Sequence, residues 1–207
     1  MFYSVAHLVK NMRISHKHKF IFISTPKTGS ESVRAALNQF SDIQSSTGMY
    51  AHHKTYDQIL MDFNYAKDYI SFGFARNPWG RCVSHWFHIK KYAQNNKHDY
   101  GDRCRQILKT ISTFKDYLLS KNTLRPCLNW LSSNNLNIDV HFFGKLETMQ
   151  EDFNTICDKI GIPQQQLPHK NKTNHKHYNE YYDDETRSIV AEKYAKDIEC
   201  FGYEFGE

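Results

Sequence analysis

The chain has 207 residues, of which 40% are hydrophobic, 24% charged and 14% aromatic. That composition excludes disorder and lets a single domain over residues 1–207 bury its own core without staples, residues 1–18 forming a peripheral segment. The net charge of +5 comes from scattered basic residues rather than a basic arm, which excludes a nucleic-acid tail and fits an anionic ligand or an acidic polymer.

The apolar run FIFIST, Phe20 to Thr25, reads as a buried strand that Pro26 ends. KTGSES follows, and then Val33, Ala36, Leu37 and Phe40 at the spacing of one helix face. The second unit of the pattern is YISFGFA, Tyr69 to Ala75, as a strand, RNPWG as a turn, and Val83, Trp86 and Phe87 on a helix opened by Pro78. Residues 91–102 are polar and predict a loop, with helical spacing resuming at Ile107, Leu108, Ile111 and Phe114. Asp139 to Phe143 predicts a third strand, and Met149, Phe153, Ile156, Cys157 and Ile160 a helix closed by Gly161 and Pro163. Residues 163–182 carry no periodicity, and one last helix runs from Asp183 to Phe201 before Gly202. Strands alternating with helices predict an α/β fold with a mostly parallel central sheet flanked by helices.

TPKTGS, Thr25 to Ser30, therefore sits between a strand and a helix, where ligands of parallel sheets bind. The helix N-terminus offers backbone N–H groups, Gly29 permits a close backbone approach, Thr28 and Ser30 carry hydroxyls and Lys27 a cation: together, an oxyanion cradle. A Walker A loop is excluded, because the lysine precedes the glycine instead of following it.

PKTGS after an apolar strand resembles the 5′-phosphosulfate loop of sulfotransferases that use 3′-phosphoadenosine 5′-phosphosulfate (PAPS). RNPWGRCVSHW, Arg76 to Trp86, resembles the same family's 3′-phosphate motif. FFGKLETMQEDF, LPHKNKT and DIECFGYEF continue the resemblance in the family's order over about residues 19 to 205, in the manner of the carbohydrate-type enzymes. The resemblance implies the P-loop-like sulfotransferase fold. It also implies that Lys27, Thr28, Gly29 and Ser30 hold the 5′-phosphosulfate, that Arg76 and Ser84 hold the 3′-phosphate, and that Lys172 and Thr173 touch the 3′-phosphate or the acceptor. The product would be 3′-phosphoadenosine 5′-phosphate (PAP), the acceptor a carbohydrate hydroxyl, and no metal is needed. In LRPCLNWL, Cys127 stands where many relatives carry glutamine, so no acceptor role carries over to it.

The acceptor must lose a proton, and carbohydrate-type members often place a histidine between the two phosphate motifs. His53 in YAHHKTYDQI is the closer match, with His52 or a carboxylate as alternatives; an imidazole of ordinary pKa, near ~6.5, suits a base at neutral pH. His85 and His88 share a helix face, but no third metal ligand accompanies them. Five cysteines without a C-x-x-C pair exclude a zinc ribbon and favour a reducing, cytoplasmic setting. No apolar run reaches the ~18–20 residues of a membrane span, and the N-terminus is too polar for a signal peptide, though a trimmed lumenal domain stays open. Two readings compete: a non-catalytic module for anionic glycans or nucleotides, and a small kinase-like P-loop enzyme.

Overall fold

The computed structural model describes residues 13–42, 53–94, 99–134, 136–168 and 175–207. His52, Lys172 and Thr173 lie outside the described residues. The chain forms two compact units, Met1–Ala75 with Cys127–Asn171, and Arg76–Pro126 with Lys172–Glu207.

The first unit holds a four-stranded sheet in the order β1-β2-β3-β4, formed by Arg13–Ser15, Phe20–Ile23, Ile70–Ala75 and Phe142–Lys145. β2, β3 and β4 are parallel, and β1 is an antiparallel edge strand. The sheet is thus α/β and mostly parallel, as the alternating pattern predicts. Phe20 and Phe22 of β2 join Phe72 and Phe74 of β3 in a core closed by α1 (Ser30–Leu37) and α7 (Met149–Ile160). Ile21 and Ile23, on the opposite face, are equally buried, which is why FIFI reads as a continuous apolar run. On that opposite face, a Cβ at Gly73 would come within 2.4 Å of Leu131 Cδ2, so the bare glycine makes room for the Leu131 side chain at the end of α6 (Leu128–Leu131).

β1 escapes the sequence pattern because three residues show no periodicity. The last strand starts later than Asp139, because the Asp139 carboxylate accepts hydrogen bonds from Ser133 N and Oγ at 2.5 Å and ties up the preceding turn. α2 (Tyr56–Asp62) also adds to the predicted set, opened by Thr55 and Gln58 in a capping box.

The second unit is helical among the described residues. α3 (Pro78–Ala93), α4 (Asp99–Thr110), α5 (Phe114–Leu119), α8 (Asp184–Lys193) and α9 (Ala195–Phe201) surround Trp79, Val83, Trp86, Tyr117, Val190 and Tyr194. α3 and α4 extend into the stretch 91–102 predicted as loop. The predicted last helix is broken at Tyr194, whose φ of -116° departs from helix while its buried hydroxyl donates to Leu124 O at 2.6 Å. Asn77 caps α3, accepting from Trp79 N at 3.1 Å and Gly80 N at 3.5 Å and donating to Glu204 O at 2.8 Å.

Two substitutions test these junctions by urea denaturation. Gly29 caps α1 at φ 75°, and a Cβ there would lie 2.7 Å from Met149 Sδ and 2.9 Å from Leu146 Cδ1. Gly29→Ala should therefore destabilise by about 1–2 kcal/mol, chiefly from the left-handed backbone, since the ends of the Met149 and Leu146 side chains can shift. Asn77→Ala should lose about 1.5–3 kcal/mol, from the cap and the donor to Glu204, while Asn77→Ser, which keeps a capping oxygen, should lose less.

Candidate active site

The turn between β2 and α1 is built around one carbonyl. Thr28 Oγ1 donates to Thr25 O at 2.9 Å, Ser30 Oγ donates to the same oxygen at 2.6 Å, and the two hydroxyls lie 3.3 Å apart. Both side chains are buried, so their hydroxyls shape the loop from inside in this state. Thr25 Oγ1 is buried in the same turn with no hydrogen-bond partner among the described residues.

Lys27 adopts φ 67°, a left-handed conformation that is uncommon away from glycine and is held against a strain of roughly 1–3 kcal/mol. Together with Gly29 at φ 75°, it gives the loop two left-handed residues flanking Thr28. Such backbone makes nests whose N–H groups converge on an anion, and the first N–H groups of α1 have no acceptor within the helix. The open side of Gly29 faces Met149 and Leu146, so the glycine serves backbone shape and packing there.

His53 is brought to this turn. Its Nδ1 lies 2.6 Å from the carbonyl oxygen of Ser24, the residue after β2. A carbonyl oxygen only accepts, so Nδ1 carries the proton and Nε2 is the basic nitrogen. The carbonyl of His53 in turn accepts from Trp130 Nε1 at 2.9 Å. Ser24 is fixed on its other side by Arg34, whose Nη1 donates to Ser24 Oγ at 3.0 Å. The first unit thus gathers Lys27, Thr28, Gly29, Ser30 and His53 around one strand end.

Arg76 and Ser84 belong to the second unit. Arg76 lies against the first turn of α3: a Cβ at Gly80 would be 3.6 Å from its Nε and 3.8 Å from its Nη2. Ser84 is four residues beyond Gly80, on the same helix face, and buried. Arg81, the other basic residue of this turn, is occupied inside the unit: its Nη1 donates to Arg125 O at 2.8 Å and lies 4.0 Å from the buried Asp197 Oδ2.

His85 is buried, with Nδ1 2.7 Å from the Tyr117 hydroxyl, and its ring stacks on that of His88. Among the described residues no group of three or more His, Cys, Asp or Glu side chains could hold a metal ion, and no helix is long and apolar enough to cross a membrane. The five cysteines are unpaired by disulfide, and burial pushes the thiols of Cys82 and Cys157 up to about 11, so neither is a thiolate nucleophile at neutral pH. Trp130, Ser24 and Arg34 escape a sequence reading. The one available signal is Trp130, a large donor-bearing ring in the same LRPCLNWL stretch that draws notice for Cys127.

The chain is similar to human carbohydrate sulfotransferase 9, with 26% identity over 231 aligned positions, 93% of this chain and 49% of the human protein. It therefore spans about half the length of that relative. An uncharacterized protein of Archaeoglobus fulgidus is 28% identical over 97 residues, 47% of this chain and 72% of its own. Among solved structures, mouse sulfotransferase SULT7A1 complexed with PAP overlaps 89% of this chain and 68% of its own, at 17% identity and a TM-score of 0.36. The family model described as "Sulfotransferase family" matches residues 10–204, and the chain belongs to that family.

Proposed function

We propose that this chain transfers a sulfuryl group from PAPS to a hydroxyl of a carbohydrate. The observation that carries the reading is the strand-end turn itself. A left-handed lysine stands just before a helix N-terminus, a place suited to an anion, and a histidine whose Nδ1 meets the Ser24 carbonyl lies at the same turn. The carbohydrate acceptor is drawn from the relative named a carbohydrate sulfotransferase.

The chemistry assigned to each group rests on charge. The acceptor oxygen attacks sulfur in line, by analogy with phosphoryl transfer, and the bond from sulfur to the bridging oxygen of the 5′-phosphate breaks. His53 Nε2 takes the acceptor's proton. Lys27 and the N–H groups at the start of α1 stabilise the charge that grows on the departing phosphate oxygen. Thr28 and Ser30 keep the loop in shape and can turn their hydroxyls to the 5′-phosphosulfate. The planar guanidinium of Arg76 and the hydroxyl of Ser84 are assigned to the 3′-phosphate, and Lys172 and Thr173 to the 3′-phosphate or acceptor. PAP leaves as product, and no step of this scheme calls on a metal ion.

The direct test is incubation with labelled PAPS and a panel of 4-nitrophenyl glycosides and unsulfated polysaccharides, read by mass spectrometry for sulfate gain. Retention of PAP without sulfation of any panel member would instead favour a nucleotide-binding module. Arg76→Ala should weaken PAP roughly 10- to 100-fold while changing 5′-AMP little, because only PAP carries the contacted phosphate. Equal losses for both nucleotides in calorimetry would remove Arg76 from the 3′-phosphate.

Lys27 and His53 should fail differently. Lys27→Gly removes the ammonium and accommodates the left-handed backbone, so turnover and PAPS affinity should drop while thermal stability holds or rises. His53→Ala should lower kcat by ~10²–10⁴-fold with PAP affinity nearly intact. The rise of rate with pH on the acidic side, caused by loss of the imidazole proton, should vanish in that variant. Wild-type turnover in His53→Ala would move the base elsewhere, His52 being the next residue to test.

A further inference from the structure

His53 is held at two points that belong to different parts of the first unit. Its ring is anchored by Ser24 O at 2.6 Å, and its own carbonyl by Trp130 Nε1 at 2.9 Å. Trp130 is itself well placed to act as a fixed post. It is 8% exposed and sits in the four-residue helix α6, whose next residue, Leu131, presses onto the bare backbone of Gly73. The end of α6 thus meets β3 at Gly73, and β3 is paired with β2, the strand whose end supplies Ser24. Both anchors of His53 trace back to one sheet.

The two anchors have different chemical effects. The Ser24 carbonyl selects which nitrogen carries the proton. In water the neutral imidazole is free to choose its tautomer, so holding Nδ1–H requires the ring to stay within hydrogen-bond reach of that carbonyl. A single ring contact leaves the backbone of His53 able to drift. Fixing the carbonyl of the same residue removes that freedom and holds the imidazole against the turn.

We propose that Trp130 is a positioning residue for the base: by binding the His53 carbonyl it keeps the imidazole in the Nδ1–H tautomer with Nε2 as the proton acceptor. Its catalytic consequence rests on the reading of His53 as the base, whereas the tautomer itself is a property of the protein alone.

The test uses two replacements of Trp130. Trp130→Phe keeps an aromatic ring, and a benzothienylalanine at the same position keeps the indole shape; both remove the N–H donor. Long-range proton–nitrogen spectra of the histidines, with His53→Ala supplying the assignment, should find His53 as a single Nδ1–H tautomer in the wild type. The same spectra should find a mixture containing Nε2–H in both replacements. In turnover with PAPS and the acceptor found in the glycan panel, kcat should fall roughly 10- to 100-fold while PAP affinity stays within about twofold, as expected for a misplaced base beside an intact donor site. In the His53→Ala background the same replacements should change kcat by less than about twofold, since the group they position is gone.

An unchanged tautomer in the benzothienylalanine protein overturns the proposal. So does a kcat loss of equal size with and without His53, which would mean that Trp130 acts through something else. Wild-type turnover in His53→Ala defeats the base assignment and is seen in that variant alone; the tautomer measurement then still decides whether Trp130 sets the state of the ring.

Discussion

Parallel pairing of β2 with β3, from Phe20 opposite Ile70 to Ile23 opposite Gly73, is the constraint on which the first unit depends. Because the strands run the same way, their carboxyl ends open on one edge of the sheet, where side chains and helix N-termini are available to a ligand. The pairing is held by burial on both faces. Phe20, Phe22, Phe72 and Phe74 fill one side against α1 and α7, and Ile21 and Ile23 fill the other. Losing one such phenylalanine would remove about 3–5 kcal/mol, a large fraction of a typical domain's stability. Thr25 and Ala75 leave this edge, and each is succeeded at once by a segment of the family pattern: Pro26-Lys27-Thr28-Gly29-Ser30 after one strand, and Arg76-Asn77-Pro78-Trp79-Gly80 after the other.

The turn after β2 is organised and held against strain. Lys27 is left-handed without being a glycine, and Thr25 Oγ1 is buried without a partner among the described residues. Two inward hydroxyls on one carbonyl hold the backbone there. Both hydroxyls are spent inside the turn, so they hold the backbone conformation rather than face outward. The imidazole of His53 is fixed by the same logic, through a carbonyl at each end of its hydrogen-bonding chain: Ser24 O accepts from the ring, and the His53 carbonyl accepts from Trp130.

The second unit organises its strand-to-helix junction by different means. Asn77 closes the first turn of α3 and reaches Glu204, Trp79 Nε1 donates to Arg187 O at 3.1 Å, and Phe205 packs edge-on against Trp79. The closing segment that resembles the family's end thus has a structural role within this unit. Its Asp197 faces Arg81 with both side chains buried, a pair whose value lies less in net stability than in the penalty for leaving either charge alone. Arg76, beside this framework, lies over a helix turn left open by Gly80.

The α/β class, the β2 and β3 strands, the α7 stripe and the strand–loop–helix setting of Lys27 are legible along the chain because they are local: an apolar run, a 3.6-residue period, a proline and a glycine at a turn. The family is legible there too, through two short motifs in a fixed order. Which hydrogen bonds the loop makes follows from folding, not from the order of residues. The Thr28 and Ser30 hydroxyls meet Thr25 O, and the side of Gly29 that a Cβ would occupy meets Leu146 and Met149, neither of which a motif announces. The choice of nitrogen on His53 and the role of Trp130 were beyond a linear reading, since Trp130 lies 77 residues from His53. Contacts at that separation carry no periodicity in the chain; they form where β2 pairs with β3 and Leu131, beside Trp130, packs at Gly73.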